Sequence, residues 1–388
     1  MMGVAVQNEK LSKKRRETAP VTLLLQPGDG VMPLVKGIAA AKRSVEIAIF
    51  RFDRREIEKA LANAVSRGVS VHALIAHTNR SGEENLRKLE MRLLAAGVTV
   101  ARTADDLLRY HGKLMIIDRR ELYLLGFNLT YLDIEHSRSF GIVTRNRKVV
   151  HEAVRLFEAD TNRHPYEPNL DTFVVSPVNA RRQLSEFIKG ARRELFIYDP
   201  KVSDPAMIRL LEEGSRAGVD IRIIGRVTRK SGTLAVRKPQ MRLHTRTMIR
   251  DGRQAFIGSQ SLRQIELDER REVGIIFRDP KTVSRLVRTF HDDWRLTEQS
   301  KGQNVKEEAL PAAKVAKKVA KAVTKNLPPV APVLDVIVKE VVGKTSDVEL
   351  NIQQVEQTVK DAVKEAVKEV VRDAVEEVVE QTEAPQPK

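Results

Sequence analysis

The sequence repeats itself once, and this duplication limits the folds open to the chain more than any other feature. The segment Ile38–Arg43 followed by VEIAIF recurs 150 residues later as Ile188–Arg193 followed by LFIYD. Further along the offset falls to 133, where HGKLMIID matches HTRTMIRD. A constant offset held over several segments indicates one module used twice. The 17-residue difference lies in SGEENLRKLEMRLLAAG, which predicts an additional helix in the first copy.

Each copy alternates short β-rich runs with helical patterns. VTLLL, SVEIAIF and VSVHALI are rich in β-branched residues, and REIEKALANAVSRG has the spacing of an amphipathic helix. This alternation is typical of the α/β class. We therefore predict two tandem α-β-α modules, residues 20–165 and 166–298. We expect them to pack as a pseudo-twofold pair, because isologous packing brings equivalent elements of two copies to a shared interface.

The two ends of the chain differ in composition from this duplicated core. Residues 1–19 hold the run Lys13–Arg16 and are predicted to form a basic disordered arm. Residues 299–388 are rich in Ala, Val, Lys and Glu, and their apolar stripe predicts an amphipathic helical tail. Self-association, binding to a membrane surface and packing on the core all remain open for this tail.

Composition excludes several classes of chemistry and favours one class of partner. The chain has no cysteine, which removes disulfides, cysteine zinc sites, iron–sulfur clusters and thiol nucleophiles. Its net charge is +16, with +17 on residues 1–299 and −1 on the remainder. An excess of this kind favours phosphate-bearing partners, either nucleic acid or anionic lipid. No apolar run is long enough to cross a membrane and no secretory leader is recognisable, so a soluble cytoplasmic protein is predicted.

A short motif occurs at matched positions of both copies. Its two instances are His111-x-Lys113-x4-Asp118 and His244-x-Arg246-x4-Asp251. Positions i and i+2 of a strand face the same side, so each imidazole shares a face with its cation. A polar turn follows each motif, Leu125–Thr130 in the first copy and Gly258–Ser261 in the second. Each copy thus offers a nucleophilic or proton-transferring group beside a cation suited to phosphate.

With HxKxxxxD followed by a GSxN-like turn, twice in one chain, the sequence resembles the phospholipase D superfamily from Leu23 to Trp294. The resemblance implies one active site at the interface of the two modules, with no metal and no cofactor. One histidine attacks phosphorus to form a phosphohistidine, and the other protonates the leaving alcohol. It further implies a role for each motif residue: His111 and His244 catalytic, Lys113 and Arg246 binding phosphate, Asn128, Ser259 and Ser261 lining the substrate pocket, and Asp118 and Asp251 structural.

The resemblance also implies an acidic residue that orients a histidine. Glu272, 28 residues after His244, matches this position and is predicted to stand behind His244 as a further catalytic residue. Ser139 takes the same place in the first copy, which leaves His111 without a carboxylate unless Asp133 or Glu135 substitutes. On this basis His244 is expected to be the nucleophile and His111 the general acid. The sequence departs from the family pattern at Leu125, Gly126, Arg246 and Ser261 as well.

Three functions follow from these observations. The first is a phospholipase D or phosphatidyltransferase acting on phospholipids, similar to bacterial cardiolipin synthase and peripheral on the inner face of the membrane. The second is a nuclease using the same chemistry, drawn to the phosphate backbone by the basic core. The third is a non-catalytic phosphate-binding module. The acceptor alcohol and the oligomeric state are left open by the sequence.

Overall fold

The computed structural model describes residues 20–77, 83–228 and 233–302. These residues fall within one compact unit, Met1–Gln303. The predicted α/β fold with two copies of one module is confirmed. The boundary predicted at residues 165 and 166 lies between a helix and a strand and stays a prediction. The basic arm and, from residue 303 onward, the helical tail were predicted for segments outside the described residues.

The first module is built on an open sheet of mixed strand direction. The strands of this module are β1 (Val21–Gln26), β2 (Ser44–Ile49), β3 (Ser70–Ile75), β4 (Thr99–Arg102), β5 (Arg109–Tyr110), β6 (Leu114–Ile117), β7 (Glu121–Leu125) and β8 (Ser137–Thr144), of which β5 lies outside the sheet. The order across the sheet is β1-β8-β7-β6-β2-β3-β4. Strands β2 to β4 are parallel, and the remaining neighbours along this order are antiparallel.

The second module repeats this sheet strand for strand. Its strands are β9 (Phe173–Val175), β10 (Glu194–Val202), β11 (Asp220–Val227), β12 (Ala235–Arg237), β13 (Arg242–Leu243), β14 (Arg246–Arg250), β15 (Gln254–Gly258), β16 (Arg270–Arg271) and β17 (Val273–Phe277). The order is β12-β11-β10-β14-β15-β17-β9. Each strand occupies the place that the sequence offset assigns to its counterpart in the first sheet.

The helices cover both faces of the two sheets. They are α1 (Met32–Ala40), α2 (Arg55–Ser66), α3 (Glu83–Ala95), α4 (Tyr131–Glu135), α5 (Arg147–Asn162), α6 (Ala180–Lys189), α7 (Pro205–Arg216), α8 (Gln264–Asp268) and α9 (Pro280–Gly302). Helices α1 to α3 bury apolar side chains against one face of the first sheet, and α6 and α7 do so against the second. Helices α5 and α9 form the central layer between the sheets, in one core that draws on both modules.

Helix α3 is the additional helix predicted from the 17-residue insertion, and the structure confirms it at Glu83–Ala95. It precedes the edge strand β4, and its residues Leu86, Leu89 and Leu93 are buried in the outer core of the first module. Among the described residues between β11 and β12 there is no helix. The insertion therefore adds to one outer layer without changing the sheet. No helix of the described chain has the length and apolarity needed to span a membrane.

Two short ribbons join the modules about the pseudo-twofold. Strand β5 of the first module pairs with β16 of the second, and β13 of the second pairs with the start of β8 in the first. Immediately after these strands, the His111 N–H donates to the Arg271 carbonyl at 2.7 Å and the His244 N–H donates to the Arg138 carbonyl at 3.1 Å. Each motif histidine is therefore held by the backbone of the opposite module.

The motif aspartates occupy equivalent tight turns at the ends of β6 and β14. Asp118 and Asp251 have φ of 52° and 53°, in the left-handed region that tight turns between adjacent strands use. The Asp118 carboxylate accepts the backbone N–H groups of residues 42–44, and Asp251 accepts those of residues 192–194. Burial alone would raise the pKa of both carboxyls, but these N–H donors hold it below its usual range. Each aspartate thus ties its hairpin to the start of β2 or β10.

Candidate active site

His111 is the centre of the first half of the site. The side chain is 6% exposed, and its Nδ1 lies 2.8 Å from Oε2 and 3.0 Å from Oε1 of Glu272, which the second module supplies. Because Glu272 accepts at Nδ1, the lone pair of the neutral imidazole is on Nε2. The Lys113 ammonium donates to that Nε2 at 2.9 Å. The ring of Phe50 packs edge-on against the imidazole, with centroids 4.5 Å apart.

His244 has a different carboxylate partner. Its Nε2 lies 3.1 Å from Oδ2 of Asp133, which the first module supplies from helix α4. Asn128 donates to the same carboxylate oxygen through its backbone N–H at 2.9 Å and through Nδ2 at 2.8 Å, and Nδ2 lies 3.3 Å from the imidazole. Arg242 donates to the other carboxylate oxygen of Asp133. Because Asp133 accepts at Nε2, the lone pair of the neutral His244 imidazole is on Nδ1.

The second cation is held differently from Lys113. Arg246 donates through Nε to the Ser261 hydroxyl at 3.2 Å and lies 3.9 Å from the carboxylate of Glu266. Glu266 in turn accepts the Ser261 backbone N–H at 2.7 Å. By the repeat offset, Arg246 corresponds to Lys113 and Ser261 corresponds to Asn128. The second module therefore has a longer cation and a shorter polar side chain at these two positions. Ser259, completely buried, accepts the Val273 N–H next to Glu272.

Electrostatics places the four motif groups in one cluster. Burial lowers the pKa of His111, and the charges of Lys113 and Arg246 lower it further. Burial likewise lowers the pKa of His244, against the opposing charge of Asp133, with Arg246 and Lys113 again contributing. Both imidazoles are therefore neutral at neutral pH. Burial raises the pKa of Glu272, and the positive charge of Lys113 opposes that rise.

The structure corrects one prediction. Glu272 does not stand behind His244, as the 28-residue spacing within one module implied; it contacts His111 of the other module. The reason is the crossed pairing of β5 with β16, which carries the residue after Arg271 to the opposite histidine. The expectation that His244 is the nucleophile rested on a carboxylate behind it. Because Glu272 contacts His111, the same reasoning now favours His111.

Asp133 is the candidate site residue whose partner the sequence left undecided. It was considered only as a substitute partner for His111, but it contacts His244. Glu135, the other substitute considered, contacts Arg54 instead. A signal was available, because Asp133 and Glu266 are separated by the repeat offset of 133. Each accepts the backbone N–H of an equivalent turn residue, Asn128 or Ser261. A carboxylate at the same sequence separation from the histidine motif in both copies indicates a position that faces the site.

The structure has two α/β modules, and each places a histidine and a cation at the interface with the other. This is the architecture of the phospholipase D superfamily, whose members are phosphoryl-transfer enzymes. The chain belongs to the family described as "Cardiolipin synthase, PLD-like domain", which matches residues 34–161 and 184–294. Those segments cover more than half of the sequence. They contain both histidine motifs, Asp133 and Glu272.

The chain is similar to known proteins that are described as different enzymes. Polyphosphate kinase 1 of Chlorobaculum tepidum is 27% identical over 225 residues, which are 53% of this chain and 32% of the relative. The polyphosphate kinase structure from Porphyromonas gingivalis aligns with a TM-score of 0.60 at 20% identity, over 71% of this chain and 50% of that one. Phosphatidylserine synthase of Haemophilus influenzae aligns with a TM-score of 0.58 at 10% identity, over 81% and 97%. The chain spans only about a third to a half of the two polyphosphate kinases.

We expect phosphate binding to be coupled to protonation of Lys113. Burial lowers the pKa of this ammonium to about 7, partly offset by Glu272. An anion beside it favours the charged form and raises the pKa. At pH 8 binding of dimethyl phosphate should therefore take up close to one proton, and affinity should fall up to about tenfold per pH unit above 7. Calorimetry in buffers of different ionisation enthalpy measures the uptake.

The matched control for this coupling is K113R. Arginine stays charged throughout the accessible pH range, so the variant should bind the diester without that proton uptake. The same calorimetric titration at pH 6 should show little uptake by either protein, because Lys113 is then already charged. Equal proton uptake by wild type and K113R at pH 8 would assign the coupling to another group.

Proposed function

We propose that this protein transfers a phosphoryl-linked group between alcohols through a covalent phosphohistidine on His111, with His244 as the general acid and base. The observation that carries the proposal is the crossed arrangement of two buried imidazoles. Each is oriented by a carboxylate from the opposite module, at 2.8 Å and 3.1 Å, with Lys113 and Arg246 beside them. This arrangement supplies a nucleophile, a proton carrier and two phosphate-binding cations.

The assignment of the nucleophile follows from the two carboxylates. Glu272 has a raised pKa and is the more basic acceptor, so it supports positive charge developing on His111 during attack. The pKa of Asp133 is held well below its usual range by His244 and by Arg242, despite its burial. Asp133 also accepts two hydrogen bonds from Asn128, so less of its charge is available to His244. His111 is thus the better nucleophile and His244 the better proton donor.

In the first step the Nε2 lone pair of His111 attacks phosphorus, and the bond from phosphorus to the leaving oxygen breaks. In the fraction of complexes in which His244 is protonated, it passes its proton to that oxygen. Lys113, released from the imidazole, and Arg246 donate to the non-bridging oxygens, where negative charge accumulates. The products are a phosphohistidine and a free alcohol.

In the second step neutral His244 removes a proton from water or from an acceptor alcohol. The resulting oxygen nucleophile attacks phosphorus, the phosphorus–nitrogen bond breaks, and the electron pair returns to Nε2 of His111. Glu272 again accepts the Nδ1 proton of a neutral imidazole. The site is thereby restored, with His244 protonated and ready to lose its proton when the product anion leaves.

For the substrate we propose a phospholipid diester. The family description names cardiolipin synthase, and the aligned phosphatidylserine synthase is matched over 97% of its length. The net charge of +17 on residues 1–299 supports approach to an anionic bilayer. The peripheral location on the inner face of the membrane is part of the same proposal, and the acceptor alcohol is water or a polar lipid headgroup.

A second candidate, a polyphosphate chain, is favoured by the curated relative and by the cations of the second module. Arg242, Arg246, Arg263 and Arg270 all contact the site carboxylates Asp133 or Glu266. A guanidinium offers several donors in a plane and suits a chain with many non-bridging oxygens. The same two-histidine chemistry would then cleave a phosphoanhydride in place of an ester.

Turnover of alternative substrates separates these candidates. The full chain is incubated with vesicles of labelled phosphatidylglycerol, with polyphosphate and with plasmid DNA, each with and without EDTA. We expect release or transfer of the lipid headgroup, loss of activity in H111N, and full activity in H151N, which alters an exposed histidine on α5. Cleavage of DNA or polyphosphate alone would overturn the lipid assignment. A folded protein that turns over none of the three would indicate a phosphate-binding module.

A further inference from the structure

The two carboxylates that follow the polar turns have different surroundings, and this difference breaks the pseudo-twofold within the site. Asp133 and Glu266 are counterparts at the repeat offset of 133. Among the described residues, Asp133 pairs with one guanidinium, that of Arg242, and its other oxygen contacts the neutral imidazole of His244. The negative charge of Asp133 is therefore matched by one positive charge.

Glu266 lies among three guanidiniums. Its carboxylate oxygens are 3.9 Å from Nε of Arg246, 3.2 Å from Nη1 of Arg263 and 3.4 Å from Nη1 of Arg270. All three distances exceed the value of about 2.8 Å that is typical of a charge-assisted hydrogen bond. One of the oxygens also accepts the Ser261 N–H at 2.7 Å. A single carboxylate neutralises one of the three charges, so two positive charges remain beside it.

Arg270 is on the side of its strand that faces the catalytic centre. It lies two residues before Glu272, which contacts His111, and alternate residues of an extended chain share a face. Burial lowers the pKa of His111 most, and the positive charge of Arg270 is among those that lower it further. Arg270 is 6% exposed, and its Nε has no hydrogen-bond partner in the described part of the chain. The first module has the uncharged Ser137 at this position, so the additional cation belongs to the half of the site that contains His111.

We propose that Arg270 and Arg263 form a subsite for a second phosphate group, next to the phosphate that reacts at His111. This inference rests on the proposed function, in which Arg246 binds the reacting phosphate. A diester carries one negative charge and neutralises one of the two remaining positive charges. A second anionic group neutralises the other, as buried charges require. The guanidinium fork matches the geometry of phosphate oxygens.

The substrate class that fits this subsite carries two phosphate groups joined by a short linker. Arg246 and Arg270 contact the same carboxylate, so the two phosphates they bind are neighbours. A linker of one oxygen is found in a phosphoanhydride, and a short carbon linker is found in a polar headgroup that carries its own phosphate. Both linkers present the same ligand chemistry to the arginines, and separate probes distinguish them.

Calorimetry on the full chain with matched ligands tests the subsite. Methylenebisphosphonate imitates the anhydride linkage but cannot be hydrolysed, and methylphosphonate is its control with a single phosphorus. Propane-1,3-diyl bisphosphate and propyl phosphate are the corresponding pair for the headgroup linkage. At least one ligand with two phosphorus atoms should bind about tenfold more tightly than its control, because hydrogen bonds to charged groups contribute this much. Equal affinities within both pairs would overturn the proposal.

Variants assign the added affinity to the two arginines. R270Q should reduce the ratio of the two affinities within a pair by about tenfold, and R270K, which keeps the charge, should retain part of it. R263Q alters a side chain that is 27% exposed, so it serves if R270Q does not fold, and it should lower the same ratio. R209Q alters an exposed arginine on α7 and should leave the ratio unchanged. An unchanged ratio in folded R270Q and R263Q would place the second phosphate elsewhere and refute the subsite.

Failure of the subsite and failure of the proposed function give different results. Turnover of a lipid diester, and its loss in H111N, test the proposed function without a second phosphate. Normal turnover together with equal affinities within both ligand pairs would refute the subsite alone. A preference for two phosphorus atoms that depends on Arg270, in a protein that turns over no diester, would refute the catalytic proposal and support the subsite.

Discussion

Substitution H111N is expected to reduce steady-state turnover by about 10⁴-fold or more, because it removes the proposed nucleophile, Nε2 of His111. H244N should cost about as much with a natural substrate, whose alkoxide leaving group needs a proton. The two variants should differ with a p-nitrophenyl phosphodiester. Its leaving group departs without protonation, so H244N should still form the phosphohistidine and release one equivalent of p-nitrophenol.

Rapid-quench kinetics and mass spectrometry measure this difference. In H244N we expect a burst of one p-nitrophenol per chain, with the phosphorus-linked mass on the peptide that contains His111. In H111N we expect no burst and no label. H151N, which alters an exposed histidine on α5, should behave as wild type. A burst in H111N with the label on His244 would reverse the two roles, and two-histidine catalysis without any label would refute the covalent intermediate.

Most of the fold could be predicted from the sequence because the duplication is expressed in local patterns. The offsets of 150 and 133 correspond to equivalent strands in both sheets, and the 17-residue insertion became helix α3. These features depend on residues close together in the chain. The crossed ribbons β5–β16 and β13–β8 depend on how the modules meet, and spacing within one module carries no information about that contact.

The same limit explains which parts of the site were found. His111 and His244 were identified because each shares a strand face with its cation, which is a local property. The partner of Glu272 was assigned wrongly because a carboxylate 28 residues downstream was assumed to return to its own module. Comparison of Ser139 with Glu272, its counterpart in the other copy, shows where the symmetry fails.

Substitutions D133N and E272Q should separate the two catalytic steps. E272Q removes the charge that supports attack by His111, and we expect the burst with the p-nitrophenyl diester to slow by about 10³-fold or more. D133N weakens the support for His244, so we expect a normal burst followed by breakdown of the phosphohistidine that is about 10²-fold slower. A purely structural role for either carboxylate would slow both phases together, and stopped-flow absorbance distinguishes these outcomes.

The repeat provides a rescue for D133N. Ser139 is the counterpart of Glu272. The His244 N–H donates to the carbonyl of Arg138, which precedes Ser139, and the His111 N–H donates to the carbonyl of Arg271, which precedes Glu272. The backbone of Ser139 therefore lies near His244 in the way that the backbone of Glu272 lies near His111. Its hydroxyl is buried and has no hydrogen-bond partner among the described residues. In the double variant D133N/S139E a carboxylate returns to His244, and breakdown of the phosphohistidine should recover at least about tenfold over D133N. S139E alone reports any cost of the larger side chain through its melting temperature. If the double variant folds and breakdown does not recover, the contribution of Asp133 is to hold Asn128 and Arg242 in place, because a carboxylate beside His244 would then be insufficient.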